Sequence, residues 1–394
     1  MVNLGFWKGI HERARSENRP LFVLAPMADV TDCSFRHVIS KYGKPDVVWT
    51  EFVAADGIVR ATPEGKAKLM RDLIYNIESP DFALVGAGKT VSERPVVAQL
   101  FSSNPEYMEQ ACKLVAELGY DGVDINMGCP DKSIEKQGCG SAMIKTPKRA
   151  QEVIRAAQKG AVRAPKAEFG DSAELIKRYE AGDETALVHL PITVKTRIGY
   201  NKNELETWLP ALLEAEPAVV TIHARTRKEM SKVPARWEHI ARAVEIRDEF
   251  FDKKFAEQKA NGEVVDETAR TLIFGNGDVQ TVAEGVQKYD ETKAEGIMIG
   301  RGIFGNPWLF ESIRRPGYEA VIPTVEEKLR VMLEHTYLYE KHLGDIKSFA
   351  VMKKHYKAYV NGFDGAKELR LELMEKADGF DQVREIVERF LAAA

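Results

Sequence analysis

The sequence predicts an α/β fold: a (β/α)8, or TIM, barrel carrying a small C-terminal helical domain. Three observations carry that prediction. Eight short apolar runs recur between residues 21 and 302, helix-like stretches separate them, and after Pro323 the pattern becomes helical alone. The runs are continuously apolar rather than alternating, which fits strands buried on both faces of a parallel sheet. Strands alternating with helices over ~280 residues suit a closed barrel. An open doubly wound sheet would place a G-x-G-x-x-G turn after its first strand, and LAPMADVTD has none.

In order, strands are expected at LFVLAPM (21–27), VVWTEF (47–52), VVAQLF (96–101), GVDINM (122–127), ITVKTRI (192–198), VVTIHA (219–224), TLIFGNG (271–277) and GIMIGRG (296–302). PEYMEQACKLVAELGY (105–120) reads as a helix with Asn104 as N-cap, Pro105 at its first position and Gly119 near its end. TPKRAQEVIRAAQKGA (146–161) starts with Thr146 as cap and Pro147 behind it, and TVAEGVQKYDETKAEG (281–296) is a third helix. Two long charged stretches, 163–188 and 246–268, are expected as solvated helical excursions on the outer ring. Beyond Pro323, Val325, Leu329, Met332, Leu333, Tyr337 and Leu338 form an apolar stripe behind Thr324. Residues 348–363 and 381–393 continue as helices. The expected division is a barrel domain over 1–323 and a helical domain over 324–394.

Hydrophobic residues make up 44% and charged residues 29%, so a sizeable core can form and wholesale disorder is excluded. A net charge of -4 gives no global basic signature, so any nucleic-acid surface must be local. Cys33, Cys112, Cys129 and Cys139 are too few and scattered for a disulfide scaffold, and no C-x-x-C pair suggests zinc. No metal is expected. The N-terminal twenty residues carry charges where a signal peptide needs an apolar stretch, and no run approaches the ~18 apolar residues of a membrane span. The expected setting is cytoplasmic and reducing, without membrane association, and the expected state is a monomer.

In this fold catalytic groups sit at the C-terminal ends of the strands. Those ends read Pro26–Met27–Ala28, Glu51, Gln99, Asn126 with Cys129, Lys195 with Arg197, His223 with Arg225, Asn276–Gly277–Asp278 and Gly300–Arg301. Any one can be a satisfied structural side chain; the joint pattern is harder to dismiss. The last two strands run into the Gly-rich turns FGNGDV and MIGRGIFGNP, the usual place of a phosphate cradle. Arg301 can clamp the phosphate. With Lys195 and His223 deeper in the mouth, a cofactor with a large polar head is expected, and FMN fits that description. Lys195 would face N1 and O2 of the isoalloxazine, Gln99 the pyrimidine edge, and Pro26 and Met27 the ring. Cys129 lies in a Gly-Cys-Pro turn just past a strand end. Alone it would read as an inert thiol; at the mouth of a flavin pocket it is a candidate acid.

These segments resemble the tRNA-dihydrouridine synthases. The residues that carry the resemblance are APMADVTDCSFR (25–36), VAQLF (97–101), DINMGCPDKSI (124–134), GCGSAMI (138–144), PITVKTRIG (191–199), TIHARTR (221–227), GNGDV (275–279), GIMIGRGIFGNPWLF (296–310) and KKHYKAYVNGFDGAKELR (353–370). They run in order over nearly the whole chain. The resemblance implies an FMN-dependent reduction of uridine in folded tRNA, fuelled by NADPH or NADH. It implies hydride transfer from FMN N5 to C6 of uracil and a proton from Cys129 to C5. Charge growing on O4 would be met by Asn126 and Arg197. The target base would be splayed out of the RNA. Residues 341–370 carry seven Lys/Arg against three acids, with His355, Tyr356 and Tyr359 interleaved. Read alone they are as much a solvated helix face as a phosphate surface; the family match favours RNA, with Lys353, Lys354 and His355 as contacts.

The sequence departs from the family at MSKVPARWEHI (230–240), where Trp237 is kept and a glycine and an acid are lost. That leaves rRNA as an alternative substrate. A small-molecule FMN ene-reductase or dihydroorotate-dehydrogenase-like enzyme would share the phosphate turns but has no need of the basic C-terminal helices.

Overall fold

The computed structural model describes residues 2–78 and 91–393. Eight parallel strands form the barrel: β1 (Leu21–Leu24), β2 (Val48–Ala54), β3 (Val96–Phe101), β4 (Gly122–Asn126), β7 (Ile192–Arg197), β8 (Val219–His223), β9 (Leu272–Asn276) and β10 (Gly296–Ile299). The remaining two, β5 (Val162–Arg163) and β6 (Val188–His189), pair with each other as a small antiparallel ladder. The barrel order is β1-β10-β9-β8-β7-β4-β3-β2. The circle closes where Asp46 N donates to Phe22 O (2.8 Å), Leu24 N donates to Val47 O (3.1 Å) and Val23 bridges Val47 in parallel. All eight expected strands form, so the barrel is the fold. Its strands are buried almost throughout, the physical counterpart of their continuous apolar runs.

Caps follow the local chemistry. The side chain of Asn104 accepts from Glu106 N and Tyr107 N ahead of helix Pro105–Glu117, and Thr281 accepts from Glu284 N ahead of Val282–Thr292. The helix Pro147–Gly160 forms, but Thr146 makes no cap bond; its hydroxyl turns back to Met143 O. Helix Phe6–Ser16 lies under the barrel floor, where Trp7 is fully buried 5.7 Å from the Trp49 ring and 5.4 Å from Phe274. Burying such a side chain contributes roughly 2–3 kcal/mol. The excursion 163–188 leaves and rejoins the barrel through β5 and β6, and its helix Ala173–Glu180 buries no residue. The second excursion begins as the far end of the outer helix Glu238–Ala260.

Helices Val325–Leu343, Ala350–Tyr359, Ala366–Lys376 and Phe380–Ala393 form a bundle with its own apolar cluster. Thr324 and Glu327 make a reciprocal capping box at its entry. The bundle packs on barrel helix Cys33–Tyr42, where Glu334 accepts from Lys41 Nζ (2.8 Å) and Tyr42 OH (2.6 Å). Among the described residues no helix is long and apolar enough to cross a membrane.

Candidate active site

At the C-terminal mouth of β8, β9 and β10 lies a cavity of about 210 Å³. Its wall includes Pro26, Met27, Lys195, His223, Asn276, Gly277, Asp278, Gly300 and Arg301, nine of the residues expected from sequence, together with Ala25, Arg225 and Ser231. Ala28 is exposed and outside this wall; Ala25 takes the place expected of it. Gln99 also lies outside it, fully buried beneath the mouth. Gln99 Nε2 donates to Asp124 Oδ2 (2.6 Å), and Gln99 Oε1 accepts from Asn126 Nδ2 (3.1 Å).

The cavity is built to receive negative charge. Its wall holds three cations, Lys195, Arg225 and Arg301, and one acid, Asp278, which accepts from Arg301 Nη2 (3.0 Å), Ala235 N (2.8 Å) and Arg225. His223 Nε2 accepts from Arg225 Nη1 (2.9 Å). Burial among Lys195, Arg197, Arg225 and Arg301 holds the imidazole neutral, well below its usual range. Burial also brings Lys195 down to about 8, assisted by Arg197 and opposed by Asp124. Gly277 sits at φ +133, where an added Cβ would meet Ala235 Cβ at 2.7 Å. A Cβ on Gly300 would point at Met27 Sδ, 3.5 Å away. Trp237 fixes this turn: its Nε1 donates to Gly277 O (3.0 Å), and its ring occupies the space a Cβ on Gly275 would need. Cationic side chains around close-approach glycines suit a ligand's phosphate. Among the described residues no three His, Cys, Asp or Glu gather as metal ligands would.

Cys129 stands beside this cavity. Asn126 pairs with Lys195 in register, and Met127 N donates to Lys195 O (2.8 Å). Asn126 Oδ1 then accepts from Gly128 N (3.1 Å) and Cys129 N (2.9 Å), so Asn126 shapes the turn that carries the thiol. Arg197 braces the same turn, its Nε donating to Gly128 O (2.7 Å) and its Nη1 to Thr226 O and Met230 O. Both residues expected to meet substrate therefore also hold backbone. Burial raises the half-buried Cys129 thiol above its ordinary range, against the lowering pull of Arg197 and Lys195.

The expected RNA contacts on the bundle fare differently. His355, Tyr356 and Tyr359 are buried, His355 in a ring cluster with Phe35 (5.3 Å) and His335 (4.7 Å). This corrects the expectation of a stacking surface: those aromatic positions are the inward stripe of an amphipathic helix. Lys353 is turned to Met374 O (3.0 Å) and Asp378 (3.3 Å), and Lys354 lies 3.5 Å from Asp29. Sequence reasoning noted Arg225 and Glu51 among the strand-end polar residues but gave neither a role; in the structure Arg225 follows β8, and Glu51 lies in the middle of β2. Glu51 Oε1 accepts from Asp29 N (2.5 Å), just past the cavity-lining Pro26 and Met27.

A profile of the dihydrouridine synthase (Dus) family matches residues 23–167, 183–266 and 246–394. The chain belongs to the dihydrouridine synthase family. Among its relatives is a probable tRNA-dihydrouridine synthase of Staphylococcus aureus (strain MRSA252), 33% identical over 376 residues, 95% of this chain and 94% of that protein. The probable tRNA-dihydrouridine synthase 2 of Bacillus subtilis (strain 168) is 34% identical over 374 residues, 94% of each chain. A solved histamine dehydrogenase from Rhizobium sp. 4-9 superposes with a TM-score of 0.43 at 11% identity, over 80% of this chain and 48% of its own, too loosely to bear on function.

Proposed function

We propose that this protein reduces the C5=C6 bond of a uridine in tRNA to 5,6-dihydrouridine. The observation that carries the reading is the half-buried Cys129 thiol next to a cationic, glycine-turned cavity in a chain of this family. The donor set of the cavity fits FMN: Arg301, Arg225 and the Gly277 and Gly300 turns for its phosphate, Lys195 and His223 deeper in the mouth, Met27 along the ring. With FMN bound there and NADPH or NADH as the source of electrons, the cofactor would supply hydride chemistry at C6 of the uracil.

The protein's own residues do the rest. Cys129 Sγ holds a proton at neutral pH, because burial outweighs its cationic neighbours, and delivers it to C5. The Asn126 and Arg197 bonds to the Gly128–Cys129 turn fix where the thiol points. One Asn126 amide proton and the outer Arg197 nitrogen offer stabilisation to charge growing on O4 of the base. A base within folded RNA has to leave its stack to reach the barrel mouth. A reducing cytoplasm suits a free thiol in this role.

Comparing RNA from cells with and without the gene, by nucleoside mass spectrometry and reverse-transcription stops, tests the reading. Loss of dihydrouridine at a tRNA position is the expected result, alongside a yellow purified protein that oxidises NADPH. Loss confined to rRNA would change the substrate. No change in any RNA would remove the reading.

A further inference from the structure

We infer that Asp124 is a positioning residue for the Cys129 thiol, acting on it through the side-chain amides of Gln99 and Asn126. The inference rests on Cys129 being the group that delivers the proton.

Asp124 and Asn126 stand two residues apart on β4, so their side chains leave the same face, Asp124 one layer deeper in the barrel. Asp124 is in register with Gln99 of β3 on one side and with Thr193 of β7 on the other, and all three are fully buried. Asp124 Oδ2 accepts from Gln99 Nε2 (2.6 Å), and Asp124 Oδ1 accepts from Thr193 Oγ1 (2.5 Å). Gln99 Oε1 accepts from Asn126 Nδ2 (3.1 Å). Asn126 Oδ1 accepts from Gly128 N (3.1 Å) and Cys129 N (2.9 Å).

The donors of this chain all run one way. A backbone N–H can only donate, so the two amides of the Gly128–Cys129 turn hold the Asn126 oxygen toward them. That turns the Asn126 nitrogen to Gln99, and the Gln99 nitrogen to Asp124. Burial lifts the Asp124 carboxyl to about 6, against the lowering pull of its Gln99 and Thr193 bonds and of Lys195, so it is ionised at neutral pH. An ionised carboxylate only accepts. The two ends of the chain therefore specify the same orientation for both amides. With no acceptor at position 124, the Gln99 nitrogen is left buried and unpaired, and the inner end no longer holds the amides to the turn. Arg197 braces only the opposite side of that turn, through Gly128 O.

Stability alone does not explain an acid at this depth. Burying a carboxylate works against folding unless it is compensated. The side chains that bond Asp124 are neutral, and Lys195 directs its own hydrogen bond to Asn276 Oδ1 (3.4 Å). What the carboxylate adds is a fixed acceptor at the inner end of a path that finishes at the thiol.

The test compares the full-length holoenzyme with Asp124→Val and Asp124→Asn, by two readouts. In the first, the flavin is reduced with NADPH, the enzyme is mixed with an unmodified tRNA transcript, and dihydrouridine formed in a single turnover is measured by nucleoside mass spectrometry. Asp124→Val is expected to lose roughly 10–10²-fold in this rate, the usual cost of a small misplacement of a reacting group. Its flavin content and its rate of flavin reduction by NADPH should stay at the wild-type level, whereas a merely structural role would lower all three together. Asp124→Asn is expected to stay within a few-fold of the wild type, because its oxygen accepts from Gln99 while its nitrogen donates to the Thr193 hydroxyl. The second readout needs no RNA: alkylation of Cys129 by iodoacetamide, followed by peptide mass spectrometry, should change rate in Asp124→Val and not in Asp124→Asn. Asp124→Ala replaces Asp124→Val where that variant does not fold. Wild-type turnover in the variant without an acceptor would overturn the inference. So would an equal loss in Asp124→Asn, which would assign the effect to charge felt by Lys195. If the unmutated protein leaves tRNA unreduced, the reading of Cys129 as proton donor fails first, and the alkylation rates still test the link from Asp124 to the thiol.

Discussion

Lys347 Nζ, on the helical bundle, lies 2.6 Å from Glu51 Oε2 in the middle of β2, and Glu51 Oε1 takes the backbone N–H of Asp29. The pair joins the bundle to the loop whose preceding residues, Pro26 and Met27, wall the cavity. Both partners are mostly shielded from water, with side-chain exposures of 16% and 7%, and Asp72 shares the lysine at 2.9 Å.

Removing one partner of a shielded pair leaves the other charge stranded. Lys347→Met is expected to destabilise the protein by about 3–5 kcal/mol in denaturant unfolding. Adding Glu51→Gln to it should restore about half of that or more, because the uncompensated carboxylate is gone while an acceptor for Asp29 N remains. Equal losses in the single and double variants would show that Lys347 acts through packing alone.

Cys129→Ala is expected to keep bound FMN and NADPH oxidation while uridine reduction falls by roughly 10²–10⁴-fold, the usual worth of a positioned acid. Single-turnover reduction of tRNA, followed by nucleoside mass spectrometry, reads the difference. A variant with full activity would take Cys129 out of the chemistry.

The charge on Lys195 governs the affinity of the cavity for an anion. Its folded value of about 8 lies below the ordinary 10.5, so the apoprotein carries this cation below pH 8 and loses it above. FMN binding to the apoprotein, read by fluorescence quenching, should therefore weaken as pH rises through about 8. The same shift means that stability increases between pH 8 and 10.5, since the buried cation is lost from the folded state first. Lys195→Met should abolish the pH dependence of FMN affinity and weaken binding at pH 7.

His355 is buried with both ring nitrogens lacking partners, which lowers it to about 4. The neighbouring His335 is lowered as well. The unfolded chain then binds more protons than the folded one between pH 6.5 and 4. Stability present above pH 6.5 is lost as pH falls, by up to about 1.4 kcal/mol per unit for each histidine. His355→Leu should flatten that slope in urea titrations at stepped pH, with little cost at pH 7.

The strands and several caps were legible because they depend on local pattern: runs of buried β-branched residues, or Asn104 ahead of Pro105. The cavity was legible because barrel geometry sends every strand end to one mouth. Three things were not. Helix Phe6–Ser16 was read only for what it excluded, since nothing local says that Trp7 fills the barrel floor. Helix Ala366–Lys376 follows a Gly-rich turn and carries Leu371 and Met374 outward, which blurs its apolar stripe. The basic residues of the bundle were counted as surface because charge in a sequence carries no address; only folding shows that Lys347 turns inward while Lys132 stays out.

The antiparallel pairing of Val162 with His189 and Arg163 with Val188 has an engineering meaning. The polypeptide departs and returns at adjacent points, so the length between them is decoupled from barrel register. At the far end, Gly182 sits at φ +88 with open space where a Cβ would go. A reporter domain grafted at that tip would hang from a two-rung hinge and leave the catalytic mouth, on strands the graft never touches, in its original alignment.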